Sequence, residues 1–198
     1  MSEVPTVAPE QSGAIEPGRL VVVVGPSGAG KDTLLRLAQA ASVDDHDIDF
    51  PRRIETREAS AAEDNDAVSV DEFRRALAQG DFAEHWEAHG HAYALPIEIN
   101  DDIRAGRTVV ANVSRTVVGQ LRRAYANVVV VSITAPPEVL AQRLAARARR
   151  SDGNIGERLN RSVDDEAASA DVTIVNAGSA EYHSRQLVRV IRNERWRE

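Results

Sequence analysis

The residues best suited to chemistry in this chain form a glycine loop that ends in a lysine. The loop reads Gly25-Pro26-Ser27-Gly28-Ala29-Gly30-Lys31, and Lys31 is the one lysine among 24 lysine and arginine residues. Loops of this kind wrap backbone N–H groups around a nucleotide phosphate. Their compact ammonium reaches the β and γ oxygens, a position that a planar guanidinium would overfill. The loop therefore predicts a nucleotide phosphate site, with a purely structural glycine turn as the alternative.

The residue that follows the lysine departs from the usual pattern of such loops. Ser or Thr, whose hydroxyl binds Mg²⁺, normally stands there, but this chain has Asp32, with Thr33 one step later. A carboxylate is a hard oxygen ligand that suits Mg²⁺, so Asp32 can bind the ion directly or through water. The strand end that usually supplies an acidic partner offers Asn112 and Ser114 instead. We therefore hypothesise that Asp32 replaces part of the missing negative charge.

Arginines cluster in two further segments of the chain. The first cluster is Arg52, Arg53 and Arg57, and the second surrounds a Ser-Asp-Gly-Asn turn with Arg143, Arg147, Arg149, Arg150, Arg158 and Arg161. Phosphoryl transfer requires positioned cations that neutralise phosphate oxygens, and guanidinium groups are suited to this. The second cluster predicts a mobile lid over about residues 147–157, because glycines lie within it. Solvated helix faces are the alternative interpretation.

Two other segments carry residues that could bind a metal, and we interpret both otherwise. The acidic run over residues 44–49 fits a solvated loop better than a metal site. His85, His89 and His91 lie near Glu84 and Tyr93, but zinc sites generally have better supported ligand sets. We expect this second segment to form a wall of a substrate pocket, with Glu84 and Tyr93 as its polar groups.

Apolar patterns indicate that strands and helices alternate along the chain. Continuous apolar runs typical of buried strands cover Arg19–Val24, Thr108–Val113, Val128–Ile133 and Val172–Val175. One helix is predicted directly after the glycine loop, and the others over Asp71–Gln79, Pro96–Ala105, Thr116–Ala124, Pro137–Ala148, Ile155–Ala168 and Ala180–Arg195. This alternation predicts an α/β fold with a doubly wound parallel sheet and helices on both faces.

Length and composition limit the classes of protein to which the chain can belong. Its 198 residues, 42% hydrophobic content and net charge of −7 predict one domain, over residues 18–198, that binds neither nucleic acid nor an anionic membrane. Residues 1–17 lack the features of a secretory signal and are expected to form a disordered tail. No apolar run reaches the roughly 20 residues of a membrane helix. We expect a cytoplasmic protein that binds small phosphorylated molecules, in an oligomeric state that the sequence leaves open.

These features together resemble the guanylate kinase family. The counterparts are the glycine loop, Thr56-Arg57, Glu84 and Tyr93 in a substrate flap, Arg143, Arg147 and Arg158 in a lid, and Val175-Asn176 near the last strand. The resemblance covers about residues 19–195 and implies a P-loop nucleoside monophosphate kinase fold with a flap over about residues 51–95. The guanine-reading segments of that family differ here around Glu58, Leu95 and Asn112. Loss of such hydrogen-bond partners costs ~10⁴ or more in discrimination.

A closer resemblance is to the ribose 1,5-bisphosphate phosphokinase family, a branch of the same fold. It rests on Gly30-Lys31-Asp32, Thr56-Arg57-Glu58-Ala59-Ser60, Trp86 and Asn112-Val113-Ser114-Arg115. The resemblance implies phosphorylation of ribose 1,5-bisphosphate to 5-phosphoribosyl 1-diphosphate, in phosphonate catabolism, with ATP and Mg²⁺ as cofactors. A guanylate or other nucleoside monophosphate kinase is one alternative, and a non-catalytic binding module of the same fold is another.

The implied activity assigns roles to the motif residues. The ATP site is expected to consist of Gly25, Pro26, Ser27, Gly28, Ala29, Gly30, Lys31, Asp32, Thr33 and Asn176, with Asp32 at Mg²⁺. The acceptor site is expected to consist of Arg57, Glu84, Tyr93, Asn112, Ser114 and Arg115, with the two arginines on phosphate groups. Lys31, Arg147 and Arg158 are expected to stabilise the transferring phosphoryl group. No general base is assigned, because a phosphate acceptor is already anionic.

Overall fold

The computed structural model describes residues 13–56, 65–88, 90–148 and 170–194. Several predicted features lie outside these ranges, namely Arg57, Arg158, most of the lid over residues 147–157 and the helix over residues 155–168. The side chain of Arg147 is also outside the description. Of the segment expected to form a tail, residues 13–17 are described and contact the domain, where Ile15 forms an isolated β-bridge with Tyr125.

The described chain contains nine strands and six α-helices. The strands are β1 Arg19–Val24, β2 Ile48–Asp49, β3 Arg53–Glu55, β4 Asn65–Ala67, β5 Phe82–Ala88, β6 His91–Pro96, β7 Thr108–Asn112, β8 Val128–Thr134 and β9 Val172–Val175. The helices are α1 Lys31–Ala41, α2 Val70–Gln79, α3 Ile99–Arg104, α4 Val118–Ala124, α5 Pro137–Ala148 and α6 Ala180–Ile191, with a 3₁₀ turn over Arg115–Val117 before α4.

The main sheet has five parallel strands in the order β2-β7-β1-β8-β9. Its central strands are β-branched runs that pack on both faces, as a parallel sheet covered by helices requires. Leu20 and Val22 join one apolar cluster with Ile103 of α3, whereas Val21 belongs to a second cluster with Leu34 of α1. The predicted α/β fold with helices on both faces is therefore confirmed.

A second sheet, which we call the flap sheet, lies within the predicted flap. Its four strands have the order β4-β3-β6-β5, and β5 and β6 form an antiparallel hairpin with Trp86 opposite Tyr93. Helix α2 packs onto this unit through Phe73, whose ring lies 4.7 Å from that of Phe82. None of these four strands was predicted, because charged and apolar residues are mixed along them and the apolar runs are short.

Two predicted boundaries are wrong for identifiable reasons. The helix predicted to begin at Pro96 begins at Ile99, because β6 continues through Pro96, which pairs with Phe82. The helix predicted over Ala180–Arg195 ends at Ile191, and Asn193 then takes a positive φ of 57°, a conformation that ends helices.

None of the described helices is both long enough and apolar enough to cross a membrane.

Packing of Leu34 fixes the helix that follows the glycine loop, so Leu34→Ala is expected to destabilise the protein. Leu34 is fully buried, and truncating such a leucine costs about 3 kcal/mol through lost burial and the cavity left behind. Urea unfolding followed by circular dichroism measures this loss. Leu77→Ala is the matched control, because Leu77 is also helical but 40% exposed. Equal losses for both variants would contradict the assigned core.

Candidate active site

The glycine loop lies at the carboxyl edge of the main sheet, between β1 and α1. Gly25 has φ 141°, and a Cβ there would lie 2.0 Å from the carbonyl oxygen of Ile133 in β8. Gly30 has φ 88°, and a Cβ there would lie 2.5 Å from Nδ2 of Asn176. Both contacts are too close for any side chain, and L-residues rarely adopt these φ values. The glycines are therefore required by how tightly the loop packs against its neighbours.

Lys31 is the first residue of α1, and its ammonium folds back over the loop. Nζ donates hydrogen bonds to the carbonyl oxygens of Gly25 at 2.7 Å and Pro26 at 3.1 Å. The N-terminus of a helix carries partial positive charge and exposed N–H groups, which favour a bound phosphate. The lysine, the loop and the helix terminus thus form one concentrated site of positive potential.

Asp32 contacts the end of the neighbouring strand β7. Its Oδ1 accepts a hydrogen bond of 2.9 Å from Nδ2 of Asn112, the residue opposite Val23 in the β1–β7 register. The amide orients the carboxylate without adding charge of its own. Asp32 is therefore the negative group of this pair. The predicted site residues Asp32 and Asn112, which are 80 positions apart in the chain, are brought together by strand order.

Asn176 and Arg143 hold the loop from its other side. Asn176 is 3% exposed, and its Nδ2 donates to the carbonyl oxygen of Ala29 at 2.8 Å. Arg143 of α5 donates to the carbonyl oxygens of Gly28 and Ala29, both at 3.3 Å, and to that of Asn176 at 3.1 Å. Sequence analysis grouped Arg143 with the lid. Arg143 instead contacts the loop, because the helix that carries it follows β8 directly. The predicted order of strand and helix was the signal that could have shown this.

The flap sheet has an aromatic and charged face, which we call the flap face and which consists of Arg53, Glu55, Tyr93 and Trp86. Trp86 and Tyr93 stack with ring centroids 5.8 Å apart, and the guanidinium carbon of Arg53 lies 4.9 Å from the centre of the Tyr93 ring. Arg53 also pairs with Glu55 at 3.3 Å, and Glu55 is completely buried. Arg53 was predicted only as a member of an arginine cluster suited to phosphate groups. Glu55 was not predicted, since a buried carboxylate cannot be recognised from spacing along one short strand.

The predicted residues Ser114 and Arg115 lie just beyond the end of β7. Ser114 caps the 3₁₀ turn, with its Oγ accepting hydrogen bonds from the backbone N of Thr116 at 3.3 Å and from Oγ1 of Thr116 at 2.9 Å. Arg115 is the first residue of that turn. Trp86 and Tyr93 share an apolar cluster with Val113 and Val117, which flank these two residues. The flap face therefore meets the carboxyl edge of the main sheet here.

Glu84 lies on the same face of β5 as Trp86 and next to a buried tyrosine. Its Oε1 accepts a hydrogen bond of 2.9 Å from the backbone N of His85. The hydroxyl of Tyr125 donates to Oδ1 of Asn100 at 2.6 Å. Burial, reinforced by the nearby Glu84 carboxylate, raises the pKa of Tyr125 to about 12. Glu84 thus lies near the apolar cluster that contains Tyr125, and its place on a pocket wall stays a prediction.

The acidic run is only partly the solvated loop that was expected. Its last two residues form β2, the edge strand of the main sheet. Burial, and then the charge of Asp102, raises the pKa of Asp49. Across the described residues, no group of three or more His, Asp or Glu side chains is arranged to bind a metal ion. His89 of the histidine segment lies outside those residues.

A parallel sheet with a glycine loop after its first strand and a separate flap sheet defines a P-loop kinase of the nucleoside monophosphate kinase type. The family model "guanylate kinase" matches residues 17–194. The chain belongs to the guanylate kinase family, and within it to the branch of the ribose 1,5-bisphosphate phosphokinases, whose members it matches along most of its length.

Two members of this branch are similar in sequence to this chain along nearly its whole length. The chain is 77% identical over 198 residues to ribose 1,5-bisphosphate phosphokinase PhnN of Bradyrhizobium diazoefficiens, covering 100% of both chains. It is 62% identical over 189 residues to the protein of the same name in Rhodopseudomonas palustris, covering 96% of both. Among solved structures, guanylate kinase from Anaplasma phagocytophilum matches with a TM-score of 0.65 at 20% identity, covering 92% of this chain and 87% of that one. The structural match supports the fold alone.

The buried phenol of Tyr125 makes the stability of the fold sensitive to alkaline pH. In the folded protein, burial raises the pKa of Tyr125 to about 12. A tyrosine in the unfolded chain has a pKa near 10. The stability that this difference contributes is complete below pH ~10 and is lost as the pH rises towards 12.

Tyr125→Phe is therefore expected to flatten the fall in stability between pH 9 and pH 11. Urea unfolding at several pH values measures this, and the single lysine and absence of cysteine leave few other groups titrating in that range. Tyr182→Phe, at a residue that is 53% exposed, serves as the control. An identical pH dependence for Tyr125→Phe and the wild type would contradict the assigned environment.

Proposed function

We propose that this protein transfers the γ-phosphoryl group of ATP to the 1-phosphate of ribose 1,5-bisphosphate, giving 5-phosphoribosyl 1-diphosphate. The observation that carries the proposal is the 77% identity, over the full length of both chains, to a relative named for this activity. The site geometry supports it, because the glycine loop with its lysine and a flap sheet with guanidinium and aromatic groups meet the same edge of the main sheet. Phosphoryl transfer needs mainly positioning and charge neutralisation, and these are the properties that the site offers.

The loop side of the cleft suits the phosphates of ATP. Lys31 lies within reach of the loop carbonyls of Gly25 and Pro26, and exchange of these neutral acceptors for phosphate oxygens strengthens its hydrogen bonds. The brace formed by Asn176 and Arg143 keeps the loop in shape without occupying its N–H groups. Such preorganised donors act most strongly where charge develops during transfer.

A magnesium ion fits the donor set at the start of α1. Asp32 follows Lys31 directly and supplies a carboxylate, the hard oxygen ligand that Mg²⁺ favours, while Asn112 holds that carboxylate in place. When bound, Mg²⁺ neutralises charge on the β and γ oxygens of ATP. We assign Asp32 as its protein ligand, directly or through water, and Thr33 as a neighbouring hydroxyl.

The acceptor side is assigned to the flap face and the turn after β7. Arg57 and Arg115 would bind acceptor phosphates, with Tyr93 and Glu84 on the pocket wall and Ser114 positioning the turn. The acceptor oxygen is an anionic phosphate oxygen, so it attacks without a general base. Arg147 and Arg158 would neutralise the transferring group from the lid.

A guanylate kinase activity is the second candidate, and the match to the guanylate kinase family model favours it. The acceptor side opposes it in two places. Leu95, in the segment that differs from the guanine-reading pattern, is completely buried and apolar. The amide of Asn112 is engaged by Asp32. A guanine base on the acceptor side would thus lack hydrogen-bond partners, and a sugar phosphate does not need these partners.

ADP release from Mg-ATP tests the proposed function directly. The purified protein is given ribose 1,5-bisphosphate, GMP or no acceptor under otherwise identical conditions. We expect turnover with the sugar bisphosphate at least ~100-fold above that with GMP, because the base lacks partners in this site. Preference for GMP would overturn the proposal in favour of a guanylate kinase. Absence of turnover with either acceptor, together with absent ATP binding, would favour a non-catalytic module.

Replacement of Asp32 by its uncharged isostere tests its assignment to Mg²⁺. Asp32→Asn preserves the acceptor oxygen for Asn112 but removes the charge, so the Mg²⁺ concentration for half-maximal activity should rise at least ~10-fold. A Mg²⁺ titration of ADP release at saturating ATP measures this. Asp71→Asn, on an exposed aspartate of α2, is the control. An unchanged Mg²⁺ dependence in Asp32→Asn would refute the assignment.

A further inference from the structure

Three strands of the flap sheet place charged and aromatic residues in one row. Glu55 of β3 lies opposite Tyr93 of β6, and Tyr93 lies opposite Trp86 of β5. Directly opposed residues share a face of the sheet, and Arg53 shares it as well because it is two positions before Glu55. These four side chains therefore lie together on the flap face.

Stability alone does not account for the ion pair on this face. Glu55 is completely buried, and the side chain of Arg53 is 17% exposed. Taking two charges out of water costs several kcal/mol per ion, and replacing a buried ion pair by apolar residues is often neutral or stabilising. Apolar side chains in place of this ion pair would extend the packing of the aromatic rings already present on the flap face. A charged pair here indicates that the cation serves a ligand.

The surroundings of Arg53 fix its guanidinium in place. One terminal nitrogen donates to Oε2 of Glu55 at 3.3 Å, and the guanidinium carbon lies 4.9 Å from the centre of the Tyr93 ring. The group has five N–H donors in a planar fork that matches the oxygens of a phosphate. A cation that is already oriented loses less entropy when it binds an anion.

Arg53 belongs to a different sheet from the residues at the loop. The transferring phosphoryl group must lie near Lys31, at the start of α1. Asn112, at the end of β7, lies beside that point, and Arg115 follows it by three residues. Arg53 lies instead in the flap sheet. Of the two acceptor phosphates, the one that receives the phosphoryl group belongs at the loop edge, so the other extends towards the flap face.

We propose that Arg53 binds the 5-phosphate of the sugar bisphosphate, the phosphate that does not react, and thereby sets the preference for a bisphosphate acceptor. Glu55 and Tyr93 are the groups that hold Arg53 for this purpose. The inference rests on the proposed function and adds to it a second phosphate subsite. In this account the flap face carries a cation that recognises the phosphate that does not react.

The subsite is tested by combining a shorter acceptor with a substitution of Arg53. Ribose 1-phosphate has the reacting phosphate but lacks the one assigned to Arg53. Arg53→Gln should lower kcat/KM for ribose 1,5-bisphosphate by roughly 10- to 100-fold, the range for losing charge-assisted hydrogen bonds. It should leave kcat/KM for ribose 1-phosphate within about 3-fold of the wild type, because the lost contact is absent from that acceptor.

Arg74→Gln is the control. Arg74 lies on α2, which packs on the same flap sheet, and its side chain is 74% exposed and pairs with Asp71. This variant should leave kcat/KM unchanged for both acceptors. Equal losses of Arg53→Gln on both acceptors, or no loss on either, would overturn the inference while leaving the proposed function in place. Failure of the wild type to use ribose 1,5-bisphosphate would overturn the proposed function and the inference with it.

A binding measurement provides a readout that does not depend on turnover. The chain has two tryptophans, so Trp196→Phe leaves Trp86, stacked on Tyr93, as the sole indole. Titration with ribose 5-phosphate should change the fluorescence of Trp86, and Arg53→Gln in this background should raise the Kd at least ~10-fold. Ribose without phosphate is the ligand control. A Kd unaffected by Arg53→Gln would overturn the subsite.

Discussion

The close packing of the phosphate loop is the constraint on which the site depends. Two of its glycines have no room for a Cβ, at Gly25 because of the carbonyl oxygen of Ile133 and at Gly30 because of the amide of Asn176. The loop is thereby held against two strand ends of the main sheet, and Lys31 begins α1 at a fixed point. Packing thus defines the shape of the loop, and a preorganised set of donors is the condition for strong electrostatic stabilisation of a transition state.

Charge is divided between the two sides of the cleft. The loop side carries the one lysine, with the carboxylate of Asp32 held by the neutral amide of Asn112. The flap side carries Arg53, which is balanced by the buried Glu55. Phosphoryl transfer between two polyanions requires cations on both sides of the reacting group. The two cations come from segments that are far apart in the chain, Lys31 beside the main sheet and Arg53 in the flap sheet.

Local patterns in the sequence predicted the main sheet well and the flap poorly. The strand over Val172–Val175 and the helix over Pro137–Ala148 have the predicted bounds, because continuous apolar runs and helical periodicity are local signals. Strands β5 and β6 pair locally as a hairpin, but charged, aromatic and apolar residues are mixed along them, so neither gives a continuous apolar run. The pairing of β3 with β6 is non-local, and no window of sequence around His91–Pro96 reveals it.

The distinction between local and non-local signals also applies to the residues of the site. The glycine loop, Lys31 and Asp32 were identified because the loop motif is contiguous in sequence. The contact between Asp32 and Asn112 depends on the order of β7 and β1, and the role of Arg143 depends on where α5 begins relative to the loop. A buried carboxylate such as Glu55 looks like a surface residue in the sequence. Burial becomes visible only when strands from three segments are assembled.

Phosphorus NMR of the reaction mixture tests the central claim most directly, because it identifies the bond that forms. With Mg-ATP and ribose 1,5-bisphosphate, we expect the C1 phosphate resonance to be replaced by two mutually coupled diphosphate resonances. The C5 phosphate should remain a monoester throughout. An unchanged sugar bisphosphate, with GMP converted to GDP in a parallel sample, would contradict the account and identify the protein as a guanylate kinase.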